Sequence, residues 1–245
     1  ALIFIPITWK SGALKASLKY WKWILFYTFG EMVGPFWLIT SAEKHVTSGL
    51  AGLLIATTPF WSAIQASIQG DKSVWHHRRL LGMIIGFFGI FLVVGIESLK
   101  GKQSAVAIGM LILAAVGYSI AMMTISRKAS DADGKAINGL AMALTSIIYL
   151  PFALAHLPSH APSTKVTLAL LTLGLIPTAL AFFLFFILIA EIGAARGALV
   201  TYLNTAFAVV LGVAILGEPL TVGIVTGLPL VLLGSYFASR KSVTP

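Results

Sequence analysis

The sequence predicts an all-α membrane protein, a polytopic helix bundle. Three observations carry the prediction. Hydrophobic residues make up 58% of the 245-residue chain and charged residues only 10%, against about 25% charged in an average soluble protein. Mean hydropathy is +0.95. The apolar residues form runs long enough to cross a bilayer, and the charges gather in short stretches between them. No globular fold of this size hides so much apolar surface behind so few charges. The composition excludes an ordinary soluble domain and a disordered chain. The lack of any cysteine excludes a disulfide scaffold. The net charge of +9 does not mark a nucleic-acid binder, because the basic residues lie in the loops.

A transmembrane helix needs roughly 20 mostly apolar residues. Eight segments qualify, at about 20–40, 48–69, 79–96, 104–125, 136–157, 166–190, 196–216 and 220–239, here spans I to VIII. Transmembrane strands would be about 10 residues long with alternating polarity; these runs are longer and apolar on all faces. Loop charges set the direction. With the loop before span I in the cytoplasm, strict alternation places 13 of the 17 Lys and Arg residues on the cytoplasmic side and 4 on the far side. The C-terminus is then cytoplasmic. The chain opens inside the apolar run ALIFIPITW. Nine helical residues reach about 13 Å, less than half of a roughly 30 Å hydrocarbon core. The run is expected to be the stump of a span whose first part is missing.

An internal repeat is visible at an offset of 148. Ala42-Glu43 matches Ala190-Glu191, Gly49 matches Gly197, and Thr57 matches Thr205. On each side one apolar span ends in Ala-Glu, a small-residue turn follows, and a second span leads to an acidic turn (Gly70-Asp71 or Gly217-Glu218) before a glycine-spaced third span. Spans I–III thus pair with VI–VIII. Span VI comes five spans after span I, an odd number, so the second copy is inverted. Inverted repeats mark many secondary transporters. The expected architecture is eight spans plus the stump of a ten-span, five-plus-five fold. Its divisions are 1–97, the remainder of the first repeat, and 104–241, the second.

The stretch AEIGAARGALVTYLNTAFAVVLGVAILGEPLTVGIVTGLPLVLLGSYFASRK, from Ala190 to Lys241, resembles the closing part of an EamA-type domain of the drug/metabolite transporter superfamily. It carries the A-x-x-G-A turn, the G-E-P-L turn and the glycine-spaced last helix. TSGLAGLLIATTPFWSAI, with GDKSVWHHRRLLGMIIGFFGIFLVVG after it, is similar, although Asp71-Lys72 replaces Gly-Glu at the acidic turn. The resemblance implies a ten-span carrier for metabolites, amino acids or toxic amphiphiles. It also implies a multi-pass protein of the bacterial inner membrane with no cofactor, acting as a monomer or homodimer.

Glu31 is the most informative residue. It falls about 16 Å into span I, near the midplane. An ionised carboxylate there is costly, so the group should be neutral or paired and should face a cavity. Pro35 cannot donate to the Glu31 carbonyl, which frees that oxygen at the same depth. The repeat equivalent is Ala179, so the scaffold does not demand the acid. Tyr27 lies one turn earlier. Trp37, Trp61 and Tyr202 are candidates for the walls of a solute pocket, while Tyr20, Trp21 and Trp23 read as an interface belt. Thr57 and Asn204 are candidate hydrogen-bonding groups from the two repeats, with interhelical glue as the bland alternative. Thr57 and Thr58 precede Pro59, whose missing N–H frees the Ile55 carbonyl. Gly82, Gly86 and Gly89 of span III, and Gly223, Gly227 and Gly234 of span VIII, are read as close-packing positions. Glu218-Pro219 reads as a helix start.

Catalytic readings fail. The five histidines fall in loops or at span ends, Met142 stands where a calcium loop needs its glutamate, and no second intramembrane acid or nucleophile elbow is present. The expected function is therefore a secondary carrier for a small organic solute, with Glu31 binding a proton or a cationic group. The alternatives are a non-transporting membrane subunit or receptor and, less favoured, a membrane-embedded enzyme.

Overall fold

The computed structural model describes residues 1–70, 77–99, 104–158, 160–192, 207 and 210–239. Every regular element among them is helical. In chain order these are α1 (Phe4–Lys10), α2 (Ala13–Ser17), α3 (Trp21–Tyr27), a π-helical turn at Thr28–Val33, α4 (Gly34–Ala42), α5 (Ser48–Ile55) and α6 (Thr58–Ile68). Then come α7 (His77–Leu99), α8 (Ala105–Lys128), α9 (Gly134–Ala155), α10 (Thr164–Leu173), a second π-helical turn at Gly174–Leu180, α11 (Ala181–Ile192) and α12 (Val222–Ser239). Residues 210–216 are also helical. Four helical stretches are long and apolar enough to cross a membrane among the described residues: Leu50–Ile68, Ala105–Lys128, Gly134–Ala155 and Thr164–Phe185. They fall on spans II, IV, V and VI. The Thr164–Phe185 stretch buries none of its apolar side chains in the protein, which suits a lipid solvent and no aqueous one.

The chain forms two compact units, Ala1–Met32 with Ile125–Ala198, and Val33–Thr124 with Leu199–Pro245. In the first, the opening apolar run is a short helix, α1, packed on α9. Phe4 and Thr8 are its buried residues. Gly139 of α9 leaves room for Phe4, whose Cβ would sit 3.0 Å from any Cβ added there. At the loop end of this unit Lys19 pairs with Asp131 at 2.9 Å, and the Tyr20 hydroxyl donates to the same carboxylate. The Tyr20 hydrogen bond first, then that of Lys19, hold the Asp131 carboxyl down to about 2. Lys128 lies over the Trp23 ring and Lys22 over Trp21, the cation–aromatic pairing expected of an interface belt.

In the second unit the backbone of span II is broken where the sequence puts Pro59. Helix α5 ends at Ile55, and α6 restarts at Thr58 with the proline in its first turn. Two hydroxyls repair the break: Thr58 donates to the Ile55 carbonyl at 2.7 Å and Thr57 to the Leu54 carbonyl at 2.6 Å. The Leu54 carbonyl also accepts from the Thr57 amide at 3.2 Å; the Ile55 carbonyl, to which Pro59 cannot donate, would cost several kcal/mol if orphaned in hydrocarbon. The buried core beside this break joins Ala42, Leu50, Leu53, Leu54, Ala107, Leu111 and Val231.

Helices α7 and α12 cross closely because glycines remove the side chains between them. A Cβ on Gly234 would collide with the Gly86 main chain and approach the Gly82 carbonyl to 2.6 Å. One on Gly89 would meet the Val231 nitrogen at 2.8 Å. The close-packing role read from the sequence is what the structure shows for Gly86, Gly89 and Gly234.

The Gly217-Glu218-Pro219 turn differs from its sequence reading. The last helix starts later, at Val222, with the Thr221 hydroxyl accepting from the Ile224 amide. Gly217 adopts φ +66°, a left-handed turn that costs glycine nothing. The chain then doubles back, and the Glu218 amide donates to the Gly212 carbonyl at 3.1 Å. The Glu218 carboxylate accepts from the Ser48 amide at 2.8 Å. The acid does sit at a positive helix end, but that of α5 and not of its own helix. Glu43 is close enough to feel it: partial burial first, and the charge of Glu218 second, push the Glu43 carboxyl above its ordinary range.

Two outcomes follow from these contacts. Gly234→Val should destabilise the protein by about 1–3 kcal/mol through overpacking, whereas Gly109→Ala, on an open stretch of α8 with nothing within 4 Å, should be neutral or slightly stabilising; thermal unfolding in detergent compares them. For Glu43 the fold favours the neutral acid, so its contribution is full below the ordinary value of 4.5 and is lost as pH rises above it. Glu43→Gln should therefore raise the unfolding midpoint at pH 7, and by less at pH 4.5.

Candidate functional site

Glu31 sits inside the π-helical turn Thr28–Val33. The cause is local. Pro35 offers no N–H to the Glu31 carbonyl, and a wider turn reroutes the ladder around the gap. The Thr28 hydroxyl donates back to the Ile24 carbonyl at 2.7 Å. Among the described residues the Glu31 Oε2 atom is buried with no hydrogen-bond partner. Buried polar atoms without partners are few in native proteins, and each asks for a cause. A carboxyl oxygen held open in this way can take a proton, or a donor group brought by a ligand.

The same deformation recurs in span VI. The second π turn, Gly174–Leu180, contains Pro177, and the Thr178 hydroxyl reaches the Leu173 carbonyl five residues back at 2.9 Å. Shifting 28–33 by the repeat offset gives 176–181, which overlaps this turn. Ala179 lies within it, so both π turns share the backbone device and only the first carries an acid.

The other sequence candidates fall into separate groups. In the first unit Tyr27 is 3% exposed, and its hydroxyl donates to the Asn138 Oδ1 atom at 3.1 Å. Asn138 in turn donates from its amide to the Gly134 carbonyl at 3.0 Å. In the second unit the buried Thr57 hydroxyl accepts from the Trp61 indole N–H at 3.0 Å. The Trp61 ring meets Phe87 edge-on, with centroids 6.3 Å apart. Trp37 is 57% exposed on α4 and joins neither group. Asn204 and Tyr202 lie outside the described residues. An open apolar cleft lined by Ile64, Met83, Ile84, Phe87, Phe88 and Phe91 contains none of the candidates.

Sequence reasoning missed Asn138 and a cluster on α6 and α8. The Ser62 hydroxyl donates to Ser119 at 3.0 Å, and Ser119 to the Gln65 Oε1 atom at 3.4 Å. Single polar residues vanish when hydropathy is averaged over a span. The usable signal was the spacing Thr58, Ser62, Gln65, which lies on one helical face.

Helices of this length and polarity, with almost no charge inside them, define an integral membrane protein of the helical class. The chain belongs to the EamA-like transporter family, whose pattern matches residues 1–95 and 105–240. This places it among the drug/metabolite transporters. An uncharacterized transporter of Archaeoglobus fulgidus is 23% identical over 246 residues, covering 98% of this chain and 83% of its own. The uncharacterized transporter YoaV of Bacillus subtilis is 24% identical over 217 residues, covering 85% and 74%. A crystal structure superposes with a TM-score of 0.61 at 20% identity, over 92% of this chain and 81% of the other; this likeness is one of fold.

The Thr57–Trp61 pair can be weighed directly. Thr57→Val strands the indole N–H, while the Leu54 carbonyl keeps the Thr57 amide at 3.2 Å, and should cost about 1–3 kcal/mol. In a double-mutant cycle with Trp61→Phe, unfolding in detergent should show a coupling of about 0.5 kcal/mol or more.

Proposed function

We propose that this membrane transporter is a secondary carrier for a small organic solute. It works by alternating access between two inverted repeats, and Glu31 is the group that binds a proton or a cationic part of the solute. The observation that carries the reading is the unpartnered Glu31 Oε2 atom in a π turn near the middle of a span. A carboxyl kept buried and half-satisfied costs stability, and intramembrane acids are functional as a rule. Transporter sites commonly use interrupted helices at the midplane. The paired π turns support the repeat. So do two contacts between loops that strict alternation of eight spans puts on one side: Lys19 with Asp131, and Glu218 with Ser48.

Tyr27, Thr57, Trp37 and Trp61, with Tyr202 and Asn204, are proposed to shape the solute path. Tyr27 and Thr57 act while already hydrogen-bonded to Asn138 and Trp61, which fixes their rotamers before any solute arrives. The lysine-rich loops face the cytoplasm, as does the C-terminus.

Counterflow into proteoliposomes tests the reading, with a panel of amino acids, nucleosides, polyamines and aromatic cations, with and without a pH gradient. Glu31→Gln keeps the shape and removes the charge. Uptake should fall about 10- to 100-fold, the loss of one charged hydrogen bond of roughly 1.5–3 kcal/mol, and its dependence on the pH gradient should disappear. A variant with the parent's rate and pH dependence would refute the role of Glu31.

A further inference from the structure

We infer that the first unit holds an anionic phospholipid on the exposed stripe of the third span-forming segment that runs from Lys22 through Phe26 to Phe29. The headgroup phosphate takes the ammonium groups of Lys22 and Lys128, and an acyl chain lies along the two phenyl rings. The inference needs only the membrane setting and is independent of the carrier reading.

The stripe has the order of a phospholipid. Lys22, Phe26 and Phe29 stand at positions i, i+4 and i+7, within about 60° of one another around the helix. All three are exposed, the rings at 44% and 50%. Seven residues cover about 10 Å, with the cation at the loop end and the rings further into the span. Trp21 and Trp23, both exposed in the first turn of α3, mark the depth at which headgroups begin. A lysine at that level keeps its stem among acyl chains and its ammonium among phosphates.

The acids at this end of the unit are already occupied. Asp131 pairs with Lys19 at 2.9 Å and accepts from the Tyr20 hydroxyl. Asp133 caps α9 by accepting from the Lys135 and Ala136 amides. Residues 1–30 contain no acid. Lys22 and Lys128 rest instead on rings, 5.6 Å from the Trp21 centroid and 5.2 Å from that of Trp23, and no carboxylate pairs with either among the described residues. A ring face attracts an ammonium but leaves its three N–H donors without an oxygen acceptor. Arg127, exposed beside Lys128, adds a third cation. A phosphodiester supplies both the acceptor oxygens and the negative charge. The rings below lie where hydrocarbon is, so a soluble anion or an acidic loop would reach the cations alone, and only a lipid matches both halves of the stripe.

Thermal unfolding of the full chain in a neutral detergent reads the binding, because a ligand of the native state raises the midpoint with its concentration. Phosphatidylglycerol is titrated beside phosphatidylcholine with the same chains, and beside glycerophosphoglycerol, the headgroup without chains. Phosphatidylglycerol should bind at least about tenfold more tightly than phosphatidylcholine, and glycerophosphoglycerol should leave the midpoint unmoved. A lysine at an anionic headgroup is worth about a fivefold factor, so Lys22→Gln with Lys128→Gln should weaken phosphatidylglycerol about 25-fold and leave phosphatidylcholine unchanged. Lys44→Gln with Lys165→Gln takes the same charge from exposed positions elsewhere and should weaken it by less than about twofold.

A second readout does not depend on stability. Phosphatidylglycerol brominated on its acyl chains should quench tryptophan fluorescence in the parent, and in Lys22→Gln alone the half-quenching concentration should rise about fivefold. Equal affinity of the parent for the two lipids would overturn the inference, as would an equal loss in the Lys44 and Lys165 pair, since net charge alone would then set the binding. A midpoint raised as far by glycerophosphoglycerol as by the intact lipid would also overturn it, by showing a phosphate site that needs no acyl chain.

Discussion

Inside hydrocarbon the main chain must satisfy its own hydrogen bonds, and the rest of this structure follows from how it does so where helices are interrupted. Prolines at positions 35, 59 and 177 each delete a donor from an apolar span. Water cannot step in. The chain answers in two ways. Around Pro35 and Pro177 the helix widens to a π turn. Before Pro59 the helix stops, and Thr57 and Thr58 cover the carbonyls of Leu54 and Ile55. Each interruption concentrates polar atoms at depth. Glu31 belongs to one and Thr57 to another, so candidate chemistry and backbone repair share the same places.

Close helix contacts are found within each unit. In the second unit, glycines at positions 86, 89 and 234 bring α7 and α12 almost backbone to backbone, and dispersion over a long crossing takes the place of a hydrophobic force that lipid does not supply. Glu218 fixes the start of α5 from a turn far away in sequence, with charge placed against an unpaired amide. The first unit ties α3 to α9 through Tyr27 and Asn138.

Much of this was legible beforehand. Continuous apolar runs announced helices, because a span longer than a strand and apolar on every face has only one way to satisfy its backbone in lipid. The glycine-spaced spans announced close approach. Glu31 stood out because a charge among apolar residues violates the composition around it. Other features were hidden. Glu218 was seen as an acid at a helix end, and its residue type fitted that role, but the helix it serves is α5 and not the one that follows it. Asn138 and Gln65 were invisible because a single amide scarcely shifts the hydropathy of a span.

The sequence by itself determined the membrane setting, the helical class, the family and the positions of the interruptions at Pro35 and Pro59. These are properties of neighbours along the chain, set by polarity, by proline's missing hydrogen and by the length of a bilayer. Only the tertiary structure decided the partners: Tyr27 with Asn138 across 111 residues, Ser62 with Ser119 across 57, Ser48 with Glu218 across 170. A hydroxyl or carboxylate can bond many groups. Which one it meets depends on how helices remote in sequence are brought side by side, and polarity along a single helix carries no record of that.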